Sequence, residues 1–142
     1  MAPVAILQGA ECPVCAARPR VVVAVNHPAM RGSIVDLLAR DHACWAVSSV
    51  QGFIGLEEAL SADLDLAVID AADFAACSSG ILGSFPLSRI VVIGPEPDPA
   101  YQKAVLDRGA GAWVSRDGVA EELSAALCSI LGCVHRPCPC QY

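Results

Sequence analysis

Two groups of residues in this chain of 142 residues have the types and spacing to do chemistry. The first is a single carboxylate, Asp70, which ends the apolar run 66–69. In open α/β sheets, ligands and chemistry lie just beyond the carboxyl ends of the strands. A carboxylate at such an end can act as a nucleophile, ligate a metal ion or cap the next turn.

The second group is made of cysteines and one histidine near the two chain ends. Its members are Cys12, Cys15, Cys133, His135, Cys138 and Cys140. A Cys-x-x-Cys pair with further Cys and His ligands has the composition of a structural zinc site, although the second half does not follow a zinc-finger spacing. Two alternatives stay open, reduced thiols in terminal tails and disulfides between the ends, and a cytoplasmic chain disfavours the disulfides.

Short apolar runs and helical patterns alternate along the chain. The predicted strands are 20–25, 43–47, 63–70, 89–93 and 111–115. Between and after them the pattern predicts a helix opened by Asn26-His27-Pro28, a short helix around Leu56, at most a short helix near 79–85, a helix from Asp98 to Gly109, and a last helix that stops at Gly132. Such alternation predicts a five-stranded parallel sheet with helices on both faces.

Composition excludes several classes of protein. The chain is long enough for one domain, and 55% hydrophobic with 17% charged residues is typical of a folded chain. A net charge of −6 argues against direct binding to nucleic acid. No apolar run approaches the length of about 18 residues that spans a membrane, and the N-terminus does not resemble a signal peptide. We expect a cytoplasmic protein with an N-terminal extension over 1–19, a folded domain over 20–132 and a Cys-rich tail over 133–142.

Four segments fall at the spacing of a known family. Residues 23–31, 65–70, 89–93 and 109–117 together resemble the CheY-like receiver domain of bacterial response regulators, the phosphorylated partners of two-component signal transduction. The His-Pro after the first strand and the Asp after Arg116 are closest to the NarL/LuxR-type transcription regulators. The resemblance covers about residues 20–131 and implies the flavodoxin/CheY-like strand order 2-1-3-4-5.

The family's chemistry is phosphoryl transfer from a histidine kinase to an aspartate after the third strand. Two acids help to hold Mg²⁺, a hydroxyl and a lysine contact the phosphoryl group, and an aromatic residue reports activation. By resemblance, the matching positions in this chain are Asp70 for the acceptor, Val25 and Asn26 for the acids, Gly94 for the hydroxyl, Arg116 for the lysine and Trp113 for the aromatic residue.

The substitutions at these positions predict a degenerate receiver pocket. Val25 has no side-chain oxygen and Asn26 has only a neutral one, so no Mg²⁺ is expected. Gly94 cannot donate a hydrogen bond to a phosphoryl oxygen, and Arg116 keeps the positive charge with a different shape. An ion pair of Arg116 with Asp70 could imitate the neutralised site and hold one conformation. His27 is expected to pack or cap a helix rather than contact phosphate or metal.

We therefore expect an atypical receiver that is not an enzyme and that regulates transcription through protein contacts. The expected partners are a second copy of the chain and a histidine kinase or another regulator; DNA would be reached only through a helix-turn-helix domain, which this chain lacks. The dimer surface would be the last two helices with the fifth strand, or the first and last helices. The alternatives are a conventional receiver phosphorylated at Asp70, a zinc- or redox-sensing module, and a small-molecule site above Asp70.

Overall fold

Strands and helices alternate through the folded part of the chain. The computed structural model describes residues 17–60, 63–76, 85–95 and 98–132. The strands are β1 (Arg20–Ala24), β2 (Ala46–Ser49), β3 (Leu66–Asp70), β4 (Ile90–Gly94) and β5 (Ala112–Ser115). The helices are α1 (Pro28–Asp41), α2 (Gly52–Leu60), α3 (Ala71–Ala76), α4 (Pro99–Asp107) and α5 (Val119–Leu131), with short 3-10 turns at Leu87–Arg89 and Arg116–Gly118.

The sheet is parallel throughout and has the order β2-β1-β3-β4-β5, which confirms the predicted topology. Its register places Asp70 beside Ile93 and Gly94 beside Ser115. The last residues of β3, β4 and β5 therefore meet at one edge of the sheet. Among the described residues, no helix is long and apolar enough to cross a membrane.

Each face of the sheet carries its own apolar layer, because successive side chains of a strand point to opposite faces. One layer packs the sheet against α1 and α5, with Ile34, Leu38 and Leu123 fully buried. The other packs it against α2, α3 and α4, with Leu56 and Phe74 as its largest buried members outside the strands. Strands buried on both faces explain the continuous apolar runs of the sequence.

The helix ends follow the capping signals of the sequence with one correction. α4 begins as predicted, since the Asp98 carboxylate accepts hydrogen bonds from the backbone N–H groups of its first turn. Gly109 (φ 112°) follows α4 and Gly132 (φ 82°) ends α5, and both adopt the left-handed backbone that favours glycine. The cap of α1 is His27, as one of the two roles expected for it, and not Asn26 at the start of the Asn26-His27-Pro28 segment; the His27 Nδ1 accepts the Met30 N–H at 3.3 Å.

Two further expectations about local structure were inaccurate. The second strand lies at Ala46–Ser49 instead of 43–47, because Trp45 turns into the core before the strand begins. A helix at Ala71–Ala76 starts directly after Asp70, where no helix was expected. Most of the helix predicted near 79–85 lies outside the described residues.

His42, directly after α1, is fully buried and stacks on Trp45 with ring centroids 3.7 Å apart. Neither of its ring nitrogens has a hydrogen-bond partner among the described residues. Burial lowers the pKa of His42 below its ordinary value of 6.5, and the Asp41 carboxylate opposes this only in part. The imidazole is therefore kept neutral by its apolar surroundings.

We expect the free energy of unfolding to fall as the pH drops below about 6.5, where the unfolded chain binds a proton that buried His42 does not. The slope contributed by this residue is at most about 1.4 kcal/mol per pH unit, and it ends when the pH passes the lowered pKa of the folded state. Urea unfolding between about pH 7.5 and 5.5 measures it.

In His42→Phe this part of the slope should disappear, since an apolar ring keeps the stacking on Trp45 and cannot be protonated. The matched control is His27→Asn, which removes a histidine but keeps a side-chain acceptor at the cap of α1. Equal slopes in His42→Phe and the unmodified chain would show that His42 does not titrate in this way.

Candidate functional site

Asp70 lies at the carboxyl end of β3 and is half-buried. Its Oδ2 accepts a hydrogen bond from the backbone N–H of Asn26 at 2.7 Å. Asn26 belongs to the loop that leaves the neighbouring strand β1, so this bond ties the loop to the end of β3. A hydrogen bond to a charged acceptor is among the stronger ones in proteins, and it fixes the orientation of the carboxylate.

Val25 and Asn26, the two positions that by resemblance match the metal-binding acids, have other roles. The Val25 side chain is buried in the apolar layer beneath α1 and α5. The Asn26 side chain donates from Nδ2 to the Asp73 Oδ2 at 3.0 Å. Asp73 is thus part of the site. The only sequence signal for it is an acid three residues after Asp70, at helical spacing in the first turn of α3.

Arg31 also holds the loop after β1. Its Nη1 donates to the backbone carbonyl of Val25 at 2.9 Å and lies 3.4 Å from that of Asn26. Arg31 sits in the first turn of α1, so the helix and the loop that precedes it brace one another. Sequence reasoning missed this role, since an arginine in a helix gives no signal of a carbonyl partner.

These residues do not fit the magnesium site of the resembling family. Mg²⁺ requires about six oxygen ligands in an octahedron, usually with one or two carboxylates among them. Val25 offers no side-chain oxygen, Asn26 offers only a neutral amide oxygen, and the Asp70 and Asp73 carboxylates each already accept a hydrogen bond from Asn26. Among the described residues, no three His, Cys, Asp or Glu side chains come together as a metal-binding group.

Arg116, in the 3-10 turn after β5, borders the same site as Asp70. Among the described residues, the Asp70 and Arg116 side chains form neither an ion pair nor a hydrogen bond with each other. The ion pair that we expected between them is therefore not formed. The Arg116 guanidinium and the Asp70 carboxylate instead lie unpaired with each other at the same edge of the sheet.

Trp113 of β5 covers Gly94 at the end of β4. A Cβ placed on Gly94 would overlap the six-membered ring of the Trp113 indole, closer than real Cβ contacts occur. Trp113 is 9% exposed and is therefore buried. Tyr101 of α4 meets it edge-on with ring centroids 5.4 Å apart and directs its hydroxyl to the Ala71 carbonyl at 3.4 Å.

A crevice of about 610 Å³ opens beside Asp70 on the side of α1. It is lined by Val25, Asn26, His27, Ala29, Met30, Ser33, Asp70 and Arg116. A smaller crevice of about 290 Å³ lies on the side of α4, and Asp70, Asn26 and Arg116 border both. Of the positions matched by resemblance, Val25, Asn26, Asp70 and Arg116 border one or both crevices, whereas Gly94 and Trp113 border neither.

The terminal cysteines and His135 cannot be placed in this site. Cys12, Cys15, Cys133, His135, Cys138 and Cys140 all lie outside the described residues. Within the domain, Cys44 is half-buried and Cys128 is buried, and neither takes part in a disulfide.

The fold and the site define an α/β domain whose parallel sheet presents one carboxylate, Asp70, at its carboxyl edge. This is the fold of the receiver domains of response regulators. The signal receiver domain of the response regulator NarL from Mycobacterium tuberculosis superposes with a TM-score of 0.63 at 24% identity, over 81% of this chain and 97% of that domain.

Two further solved structures give the same result. A signal receiver domain from Clostridium thermocellum has a TM-score of 0.58 at 11% identity and covers 80% of this chain and 97% of its own. RcsB from Salmonella enterica serovar Typhimurium, bound to a promoter, has a TM-score of 0.57 at 20% identity over 78% of this chain and 66% of its own. No protein-family model matches the chain, and no curated protein matches it in sequence.

The contact between Gly94 and Trp113 can be tested by adding one methyl group. We expect Gly94→Ala to displace the indole, to shift tryptophan emission to longer wavelength and to lower the free energy of unfolding by about 1–3 kcal/mol, the usual cost of overpacking.

Gly32→Ala is the matched control, because a Cβ at this position of α1 meets no described atom within 4 Å. It should leave the emission unchanged and stabilise the helix by up to about 1 kcal/mol. An unchanged spectrum and stability in Gly94→Ala would mean that the indole does not occupy this space in solution.

Proposed function

We propose that this chain is an atypical receiver domain that works through protein contacts and does not depend on Mg²⁺-assisted phosphorylation of Asp70. The observation that carries the proposal is the packing of the Trp113 indole against Gly94, the position that by resemblance would carry the hydroxyl that contacts a phosphoryl group. The proposal makes the domain a signalling module and not an enzyme.

The electrostatics of phosphoryl transfer support this proposal. The transferring group carries negative charge that a divalent cation and hydrogen-bond donors must stabilise. Beside Asp70, Val25 is apolar and the Asn26 amide is engaged with Asp73. Bringing a phosphoryl dianion next to two carboxylates without a cation would be unfavourable, and exposed Arg116 is the one positive side chain among the described residues that border the crevice beside α1.

The aromatic contacts support a domain held in one state. Trp113 packs on Gly94 and against Tyr101, and Tyr101 reaches the backbone of α3 through its hydroxyl. These contacts join the ends of β4 and β5 to α3 and α4 without any ligand. A surface built on α4 and β5 would therefore keep one shape whether or not Asp70 is modified.

A role in transcription is supported by the fold and by charge. RcsB, one of the similar structures, is bound to a promoter. The present chain carries a net charge of −6, which opposes contact with the phosphate backbone of DNA. Control of transcription by this domain would therefore pass through its contacts with other protein surfaces, including a second copy of the chain.

Phosphorylation can be tested directly on the purified chain with acetyl phosphate and Mg²⁺, followed by intact mass measurement. We expect no stable gain of a phosphoryl group, because Asp70 lacks the ligands that would hold the cation. A receiver domain known to be phosphorylated, treated in parallel, shows that the phosphodonor is active.

One result of the same experiment would contradict the proposal. A gain of one phosphoryl group that requires Mg²⁺ and is abolished by Asp70→Asn would establish a conventional receiver and end the proposal. Asp73→Asn serves as the matched control, because it removes the neighbouring carboxylate and leaves Asp70 intact.

Dimer formation is expected through α4 and β5, where Tyr101 and Leu106 are the large apolar side chains that remain exposed among the described residues. Leu106→Glu should convert the dimer to monomer in light scattering, since a charge would be buried in the interface. Ala46→Glu adds the same charge at an exposed position of β2, the strand at the opposite edge of the sheet from β5, and should leave the dimer intact. A monomeric unmodified chain would contradict the expectation, and a dimer that survives Leu106→Glu would point to α1 and α5.

A further inference from the structure

The crevice beside Asp70 has two opposite electrostatic poles that do not neutralise each other. The negative pole is the Asp70 carboxylate, which is half-buried and forms no ion pair with any described residue. The positive pole is the Arg116 guanidinium, which likewise forms no ion pair within the described ranges. Both side chains line the same concave space.

The start of α1 adds to the positive pole. His27, Ala29 and Met30 line the crevice with the first turn of a helix of 14 residues. The partial positive charge at a helix N-terminus is usually balanced by an acid in the first turn, and α1 has none there. The His27 Nδ1 accepts a hydrogen bond, so the neutral ring carries its proton on Nε2 and is a further donor.

The rest of the wall is apolar. It is lined by buried Val25, Ala29 and half-buried Met30, together with the small polar residue Ser33. A flexible thioether adapts to different apolar groups. The volume of about 610 Å³ lies within the usual range for a small-molecule site, in which a few polar groups fix the orientation of an apolar ligand.

We propose that this crevice binds an α-amino acid with an apolar side chain. The ammonium group would meet the Asp70 carboxylate, the carboxylate would meet Arg116 and the N-terminus of α1, and the side chain would pack on Val25 and Met30. A zwitterion satisfies both poles at once, whereas a simple anion would face Asp70 and a simple cation would face Arg116.

This inference deepens the proposed function, since it names a ligand for a receiver that does without phosphate. The substitution of the two metal-binding acids by Val25 and Asn26 removes two charges that would repel the ligand's carboxylate and leaves the apolar wall intact. The Asn26 N–H keeps the Asp70 carboxylate oriented in place of a metal ion. The residues that would bind the ligand are therefore the same residues that no longer provide a metal site.

The experiment is isothermal titration of the purified chain with L-leucine, L-isoleucine, L-valine, L-methionine and L-phenylalanine. At least one should bind with a dissociation constant of about 1 mM or tighter. Two analogues of leucine remove one charge each, 3-methylbutylamine without the carboxylate and 4-methylpentanoate without the ammonium. Each should bind at least about tenfold more weakly than leucine if leucine binds, since one charge-assisted hydrogen bond is lost.

Two substitutions test the poles on the protein side. Asp70→Asn keeps an acceptor for the Asn26 N–H and removes the charge, and Arg116→Gln removes the guanidinium; each should weaken the binding of the amino acid by about tenfold or more. Asp117→Asn is the matched control, because this exposed neighbour of Arg116 does not line the crevice and should leave the affinity unchanged.

Three results would overturn the inference: no binding by any of the five amino acids, equal binding of the singly charged analogues, or full affinity in both Asp70→Asn and Arg116→Gln. These readouts do not involve phosphate. A chain that binds an amino acid and is also phosphorylated at Asp70 would retain the inference and refute the proposed function, so the two failures are distinguishable.

Discussion

The steric exclusion between Gly94 and Trp113 is the constraint on which the rest of the site depends. An indole buries more apolar area than almost any other side chain, and here it can lie across the end of β4 only because residue 94 has no Cβ. The ring then supports Tyr101, whose hydroxyl reaches the Ala71 carbonyl. The absence of a side chain at residue 94 therefore allows contacts that link the ends of β4 and β5 to α3 and α4.

The position of Trp113 has an energetic cost that its packing must exceed. Its Nε1–H is buried and has no hydrogen-bond partner among the described residues. An unsatisfied buried donor costs about 1–3 kcal/mol. Full burial of a large aromatic side chain recovers about that amount or more from the hydrophobic effect. The balance favours the buried ring because of its volume, so a smaller aromatic residue at 113 would leave empty space above Gly94.

Periodicity and chain-wide rules were sufficient to predict a parallel sheet with Asp70 at its carboxyl edge, whereas the strand order was implied by the resemblance to receiver domains. Apolar runs alternating with helical patterns define a parallel sheet, and a residue at the end of such a run must lie at the edge where ligands bind. The side-chain partners were not predictable. Asn26 bonding to Asp73, Arg31 bracing the Val25 carbonyl and Trp113 covering Gly94 depend on distances between segments up to 47 residues apart. Periodicity specifies which face a residue occupies, not which neighbour it meets there.

The separation of Asp70 and Arg116 follows from the same physical terms. An exposed ion pair contributes only about 0–1 kcal/mol, and forming one costs the rotamer freedom of a long arginine side chain. Asp70 already has a short hydrogen bond from the Asn26 N–H, which supplies much of what a counter-ion would supply. Collapse of Arg116 onto Asp70 would therefore gain little. The two charges can stay apart at small cost, and a bound zwitterion that orders both would gain two charge-assisted contacts at once, in a crevice whose apolar wall excludes part of the water.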